Sequence, residues 1–187
     1  MKTNNSQKRP FLFFSLMILC FMILSANARA DTIKHQVTGL FMKEREQDLR
    51  EVIEKIPQVK LVSIDFKNAE ATFAYDPVKV CPGAKPEQFI QRFDSLVRSA
   101  SNHAFGIKPL RSVPLDKLRL VEIPSAGLDC KACCLAAYEA VYKLEGVERA
   151  TASFREGRVT ALIDPEKTDR AKLEAALKKR GVQLQAP

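Results

Sequence analysis

Residues 127–167 read GLDCKACCLAAYEAVYKLEGVERATASFREGRVTALIDPEK, and residues 39–79 read GLFMKEREQDLREVIEKIPQVKLVSIDFKNAEATFAYDPVK. The two stretches align without a gap at an offset of 88 residues. Both begin with Gly-Leu, both reach Asp-Pro near their ends, and apolar residues recur at matching positions between. Because the apolar pattern and the turn signals repeat together, the chain contains two copies of one structural unit.

Periodicity predicts a helix followed by two strands within each unit. Apolar residues in 137–144 recur at helical spacing, whereas residues 150–154 alternate apolar and polar as a strand does. Glu156-Gly157 indicates a hairpin turn, and a second strand follows at 158–163. The matching second strand of the first copy falls at 70–75. Asp-Pro ends each second strand, because proline cannot continue a strand ladder.

A second helix and two flanking strands complete the unit. In the second copy we expect Thr168 to cap this helix and Gly181 to end it. An opening strand is predicted at 117–123 and a closing strand at 182–185. The first copy has a longer second helix, near 87–100. The order β-α-β-β-α-β is the ferredoxin-like arrangement, so we predict an α+β fold with two tandem ferredoxin-like domains.

The first 30 residues have the three-part layout of a secretory signal peptide. MKTNNSQKRP is cationic, FLFFSLMILCFMILS is apolar, and Ala28-Arg29-Ala30 offers a small-x-small cleavage site before Asp31. The apolar run is short for a membrane span, which needs about 20 residues. We therefore expect an exported, periplasmic protein whose mature form is soluble. The alternative is a membrane anchor formed by an uncleaved N-terminal segment.

The chain accordingly divides into four parts. These are a signal peptide at 1–30, a degenerate first copy at 31–110, a linker at 111–116, and a second copy at 117–187 that carries the cysteines. The formal net charge is +8, but the first 30 residues hold four basic residues and no acid, which leaves +4 for the rest. Lysines and arginines are scattered among acids and there is no tryptophan. This composition argues against a nucleic-acid partner.

Cysteines cluster where the first strand of the second copy meets its first helix. Cys130 lies in the predicted loop, Cys133 in the first helical turn, and Cys134 one residue deeper. Free N–H groups and the dipole at a helix start favour a thiolate, and thiolates are ligands for soft ions. No second Cys/His pair has zinc-finger spacing, which disfavours a structural zinc site. A soft metal, a disulfide and simple packing remain open on spacing alone.

A Gly-Leu-x-Cys-x-x-Cys motif at this junction of a β-α-β-β-α-β unit resembles the heavy-metal-associated (HMA) domain family. That family includes copper chaperones, metal-binding domains of copper-transporting ATPases and the periplasmic mercury-binding protein. The resemblance covers 117–185 and implies that Cys130 and Cys133 bind one soft ion and pass it on by ligand exchange. It implies Cu(I) first, with Hg(II) or Zn(II) as alternatives, and a membrane metal transporter or another metal carrier as partner. Leu128 stands where the family has a core-packing methionine.

Other positions depart from the motif or add to it. Asp129 places a carboxylate beside the thiolates and opposes their ionisation. Cys134 is a further thiol that can be a third ligand, a resolving thiol or a small buried residue. In the first copy Met42 and Arg45 stand at the two motif cysteine positions, and an arginine brings positive charge where a ligand is needed. We therefore expect the first copy to pack, dock or bind a partner.

Two further hypotheses compete with metal carriage. The Cys-x-x-Cys pair could cycle between dithiol and disulfide. The tandem could instead be an interaction module whose metal site is vestigial. No Gly-x-Ser-x-Gly, phosphate loop or His-Glu-x-x-His occurs in the sequence, so we do not expect an enzyme.

Overall fold

The computed structural model describes residues 31–185, so the predicted signal peptide at 1–30 lies outside the described residues. The first copy consists of β1 (Asp31–Thr38), α1 (Arg45–Glu54), β2 (Val59–Asp65), β3 (Glu70–Tyr75), α2 (Pro77–Val80), α3 (Pro86–Ala100) and β4 (Gly106–Lys108). The second consists of β5 (Arg119–Ala126), α4 (Lys131–Tyr142), β6 (Val147–Ser153), β7 (Arg158–Ile163), α5 (Arg170–Lys179) and β8 (Gln183–Leu184). A 3-10 turn at Leu115–Lys117 stands between the copies.

Each copy forms its own four-stranded antiparallel sheet. The strand orders are β2-β3-β1-β4 and β6-β7-β5-β8, with every neighbouring pair antiparallel. The pairing itself repeats: Thr32 lies opposite Ala74, and 88 residues later Leu120 lies opposite Leu162. This is the ferredoxin-like order. The prediction of two tandem ferredoxin-like domains is confirmed.

The start of α5 differs from the prediction. Asp169 is the cap, and its carboxylate accepts a hydrogen bond of 2.9 Å from the backbone N–H of Lys172. Thr168, the predicted cap, is one residue too early and its side chain is buried. The prediction was wrong because either residue type can cap a helix, and the sequence pattern does not distinguish two adjacent candidates.

Two hydrophobic cores form, but they do not divide as the copies do. The first core lies between the first sheet and helices α1 and α3. The second lies between the second sheet and helices α4 and α5, and it also contains Phe41 and Met42 from the first copy. These two side chains are only 1% and 5% exposed. The first copy therefore contributes directly to the core of the second.

Contacts around Phe41 fix the two copies together. The Phe41 carbonyl accepts a hydrogen bond of 2.9 Å from the N–H of Ala152 on the edge strand β6. The Phe41 and Tyr138 rings stack with centroids 5.4 Å apart. The Tyr138 hydroxyl also accepts a 2.9 Å hydrogen bond from the N–H of Gly39. The loop after β1 is thus held by backbone and side chains of the second copy.

The linker is also fastened to the first copy. The Arg111 side chain is 6% exposed, donates to the Asn68 carbonyl and lies 3.5 Å from the Glu70 carboxylate. Close by, the Arg149 guanidinium of the second copy lies 5.2 Å from the centre of the Phe66 ring. These contacts and those of Phe41 make the copies one packed body rather than beads on a free linker. Within residues 31–185, no helix has both the length and the apolar character needed to cross a membrane.

Candidate metal centre

Cys130 and Cys133 meet at the start of α4. Cys130 is the N-cap residue, with extended backbone angles of φ −147° and ψ 163°. Its sulfur accepts a hydrogen bond of 3.2 Å from the N–H of Cys133, and the two sulfurs lie 2.6 Å apart. Both are free thiols; Cys130 is exposed and Cys133 half-exposed. The fold therefore brings two accessible sulfurs to one point beside unpaired helix N–H groups.

Between β5 and the two cysteines, a turn at Gly127 and the buried Leu128 fix the path of the chain. Gly127 has φ +75°, a left-handed conformation that glycine adopts without steric cost. Leu128 then packs in the second core, as the family resemblance implies for this position. Because Leu128 points inward at the end of the turn, the following Asp129 and Cys130 remain at the surface. The Gly-Leu pair thus presents the thiol to solvent.

The pKa values of the two thiols shift in opposite directions because the thiols share a hydrogen bond. The Cys133 thiol, and then its backbone N–H, stabilise the thiolate of Cys130 and lower the pKa of Cys130. The neighbouring Asp129 carboxylate opposes this shift. Donating that same hydrogen bond raises the pKa of Cys133. A soft ion that binds both sulfurs as thiolates would displace their protons.

Cys134 is placed away from this accessible pair. Its side chain is 0% exposed in the second core, with its sulfur 3.8 Å from the Leu128 carbonyl oxygen. Burial raises the pKa of the Cys134 thiol. No cluster of three or more His, Cys, Asp or Glu side chains suited to one ion occurs in the described part of the chain. Of the three uses considered for Cys134, its position favours packing.

The remaining cysteine of residues 31–185 and both histidines lie in the first copy. Cys81 follows α2 and is a buried free thiol in the first core, so it does not meet the other cysteines. The histidine His35 is buried in β1, and His103 is exposed after α3. Both belong to the first copy, whereas the cysteine loop belongs to the second. Neither joins the predicted site.

Arg45, at the position of the second motif cysteine, performs a packing role in the first copy. Its guanidinium lies 4.2 Å from the centre of the Phe105 ring and 5.0 Å from that of Phe41. It also donates to the Ala104 carbonyl and lies 3.5 Å from the Asp48 carboxylate. The side chain therefore supports the docked loop and cannot act as a metal ligand.

A cleft between the copies opens beside Cys130. Its walls include Met42 and Glu44 of the first copy and Lys131, Phe154 and Arg155 of the second. The Glu44 carboxylate lies 3.4 Å from the Arg155 guanidinium. Sequence reasoning did not foresee this cleft. The available signal was the pair of apolar residues Phe41-Met42 in a loop where the second copy has Asp129-Cys130.

A second ion pair crosses the same junction. Lys131, which stands between the two motif cysteines, has its ammonium 3.6 Å from the Asp48 carboxylate on α1. This pair and the pair between Glu44 and Arg155 are largely exposed. Each adds at most about 1 kcal/mol, because solvent screens exposed charges. The two ion pairs therefore contribute little to the free energy that holds the copies together.

Comparison with known proteins finds similarity only among solved structures. No protein-family model and no curated protein matches the sequence. A CopZ metallochaperone is 21% identical, with 36% of this chain and 100% of that chain covered and a TM-score of 0.35. Oxidized MerP from Ralstonia metallidurans CH34 is 26% identical, with 36% and 94% covered and a TM-score of 0.35. The N-terminal soluble domains of Bacillus subtilis CopA are 18% identical, with 83% and 92% covered and a TM-score of 0.34.

The three matched structures have low overall similarity to this chain. They are a metallochaperone, a MerP and the N-terminal soluble domains of a CopA. All three TM-scores lie below 0.5, so the matches do not by themselves establish a family or a ligand. The assignment of the fold rests on the strand order, and the assignment of the candidate site rests on the geometry of Cys130 and Cys133.

Proposed function

We propose that this chain is an exported soft-metal-binding protein that carries or sequesters one ion between Cys130 and Cys133. The observation that supports this most directly is the pair of free, accessible sulfurs 2.6 Å apart at the start of α4. Two thiolates suit a soft ion of low coordination number, whereas a structural zinc site uses four protein ligands. Cu(I) is the first choice of ion, with Hg(II) and Zn(II) as alternatives.

Export and transfer belong to the same proposal. The cationic, apolar and small-residue segments at 1–30 support secretion to the periplasm, with a membrane anchor as the alternative. A site that is exposed at Cys130 suits exchange of the ion with a membrane metal transporter or another metal carrier. The absence of a recognised catalytic motif in the sequence supports a carrier or scavenger rather than an enzyme.

The test is an anaerobic competition titration of reduced residues 31–187 with Cu(I) against a chromophoric chelator. We expect one tightly bound ion per chain, and we expect Cys130→Ser to abolish this binding. Cys81→Ser, which changes a buried thiol in the other copy, is the matched control and should leave the affinity unchanged. Cys134→Ala should also retain binding. The proposal fails if the unsubstituted protein binds no ion, or if Cys130→Ser binds as it does.

A redox role is the second candidate, because the same sulfurs are close enough for disulfide formation. In an oxidising compartment, loss of two electrons and two protons to an external oxidant would join them. Measurement of the reduction potential and of thiol exchange with glutathione decides this. A potential near that of the compartment, with rapid exchange, would favour the redox role. A potential far below it, without exchange, would remove that role and leave metal carriage.

A further inference from the structure

One further soft donor lines the same cleft as Cys130, and it comes from the other copy. Met42 lines the cleft that opens beside Cys130. It is the only methionine after residue 30. In the repeat it occupies the position that Cys130 occupies in the second copy. The docking of the copies thus brings the two equivalent loop positions, each carrying a sulfur, to one cleft.

The neighbours of Met42 determine its position. The preceding residue is pinned to the second copy by the hydrogen bond from Ala152 to the Phe41 carbonyl and by stacking on Tyr138. On the other side, the Met42 carbonyl accepts a 3.1 Å hydrogen bond from the N–H of Arg45, where α1 begins. Both ends of this short segment are therefore fixed, and Met42 is held against the second core.

Other donors around the cleft are less suited to a soft ion. Cys134 is buried in the core with its sulfur toward the Leu128 carbonyl. The Glu44 carboxylate is paired with Arg155, and carboxylates are hard ligands. The thioether of Met42 is neutral and soft, and it requires no deprotonation.

We propose that Met42 supplies its thioether as a third ligand to the ion held by Cys130 and Cys133, so that the cleft between the copies is one Cu(I)-selective site. This inference rests on the proposed function, since it adds a ligand to the same ion. Two thiolates and a thioether form a three-sulfur set that suits Cu(I). Zn(II) gains little from a thioether, because it prefers thiolate, imidazole and carboxylate donors.

In this arrangement the degenerate first copy takes part in metal binding. An ion bound to sulfurs of both copies stabilises the docked arrangement, because binding to the folded, docked state shifts the equilibrium toward it. The ion pair between Lys131 and Asp48 crosses the same junction and would be strengthened with it. The first copy then acts as a specificity element for a site whose thiols lie in the second.

The first arm of the test replaces the thioether by an alkyl group of similar volume. Met42→Leu should fold normally, because volume-conserving core changes are well tolerated. We expect its Cu(I) affinity to fall by at least about tenfold, the lower end of the loss caused by removing even an indirect supporting residue of a metal site. Its Zn(II) affinity should be unchanged. Leu40→Ile, a conservative change in the same loop, is the matched control and should leave both affinities unaltered.

The second arm needs no substitution. All strands and helices described here lie within residues 31–185, so residues 31–187 contain the whole packed body. In that segment, with any initiating methionine removed, selenomethionine labelling places a single selenium at position 42. X-ray absorption at the selenium edge should show a copper neighbour at bonding distance after Cu(I) loading, and none in Cys130→Ser.

The outcomes separate the two claims. Cu(I) binding that requires Cys130 but is indifferent to Met42→Leu, with no copper near selenium, overturns the role of Met42 and leaves the proposed function standing. No Cu(I) binding by the unsubstituted protein overturns both. If Met42→Leu does not fold, the selenium measurement on the unsubstituted protein decides alone.

Discussion

The same strand-to-helix junction occurs twice in this molecule and serves two different ends. After Gly39-Leu40 the chain continues as Phe41-Met42, and after Gly127-Leu128 it continues as Asp129-Cys130. Both leucines are buried in the core of their own copy. The next two residues then diverge. Phe41 and Met42 are buried against the neighbouring copy, with Met42 also lining the cleft, whereas Asp129 and Cys130 are exposed. A loop that exposes a cysteine in one copy is a docking element in the other.

The two glycines differ in how closely the rest of their own copy approaches them. Both have left-handed backbone angles, φ +89° at Gly39 and φ +75° at Gly127. A Cβ at Gly39 would lie only 2.2 Å from the Ala104 carbonyl oxygen, whereas a Cβ at Gly127 would meet nothing within 4 Å. Gly39 is therefore needed for close approach as well as for its angle. Gly127 leaves free space around the cysteine loop.

Removing the Phe41 ring, which joins the copies, should have the largest effect on the free energy of unfolding. Phe41→Ala leaves a cavity in the second core, and burial of this size costs about 3–5 kcal/mol of unfolding free energy. Chemical denaturation monitored by circular dichroism measures the loss. Phe154→Ala, at an exposed ring near the same cleft, is the control and should change stability by less than about 0.5 kcal/mol. Equal effects of the two changes would mean that Phe41 does not hold the copies together.

Loss of one hydroxyl should have an intermediate effect. Tyr138→Phe keeps the ring that stacks on Phe41 but leaves the buried N–H of Gly39 without its acceptor. An unsatisfied buried donor costs about 1–3 kcal/mol. Tyr142→Phe, one turn further along α4, does not touch this contact and serves as the control. A denaturation midpoint for Tyr138→Phe equal to that of Tyr142→Phe would contradict the assigned role of the hydroxyl.

Acid should lower the free energy of unfolding by a smaller amount than these two substitutions. The reason is a buried titratable residue, His35 in β1, at the position where β5 has Ile123. Burial lowers the pKa of His35 below its ordinary value of 6.5, and its Nε2 lies 2.7 Å from the Tyr75 hydroxyl. The folded state therefore keeps this imidazole neutral while the unfolded state takes up a proton. Stability is full above pH 6.5 and falls below it, with a limiting slope of about 1.4 kcal/mol per pH unit.

Denaturation midpoints between pH 7.5 and pH 5 test this dependence. His35→Ile introduces the residue that the second copy has at the matching position, and it should flatten the pH profile even if it lowers stability. His103→Gln, at the exposed histidine, should keep the slope of the unsubstituted protein. A slope that persists in His35→Ile would assign the titration to another group.

Much of the fold follows from repetition in the sequence. Strands at 70–75 and 158–163 were predicted with the bounds that the structure has, because apolar alternation and Asp-Pro mark them clearly in both copies. The one-residue error at Thr168 reflects competition between two residues that can both cap a helix. Short α2 was not predicted, since four residues carry no helical periodicity.

The candidate site was predictable only in part. The spacing of Cys130 and Cys133 and the position of their junction placed both sulfurs correctly at the start of a helix. Packing between the copies was not predictable, because periodicity describes contacts within an element and not contacts between units. Arg45 and Met42 looked like a lost motif, yet Met42 is buried in the core of the second copy and Arg45 packs on Phe105 at the start of α1. Only the three-dimensional structure shows that the loop containing Met42 packs against the second copy.

The hydrogen bond from Ala152 to the Phe41 carbonyl also has a consequence for self-association. Strand β6 is an outer strand, and unpaired outer strands are templates on which other chains add and aggregate. Here the loop of the first copy occupies part of that edge. The remaining edges are poor templates too: β4 and β8 have three and two residues, and the pairing of β2 with β3 is irregular between Leu61 and Ser63. Docking of the copies therefore protects a tandem of two open sheets from growing into a larger one.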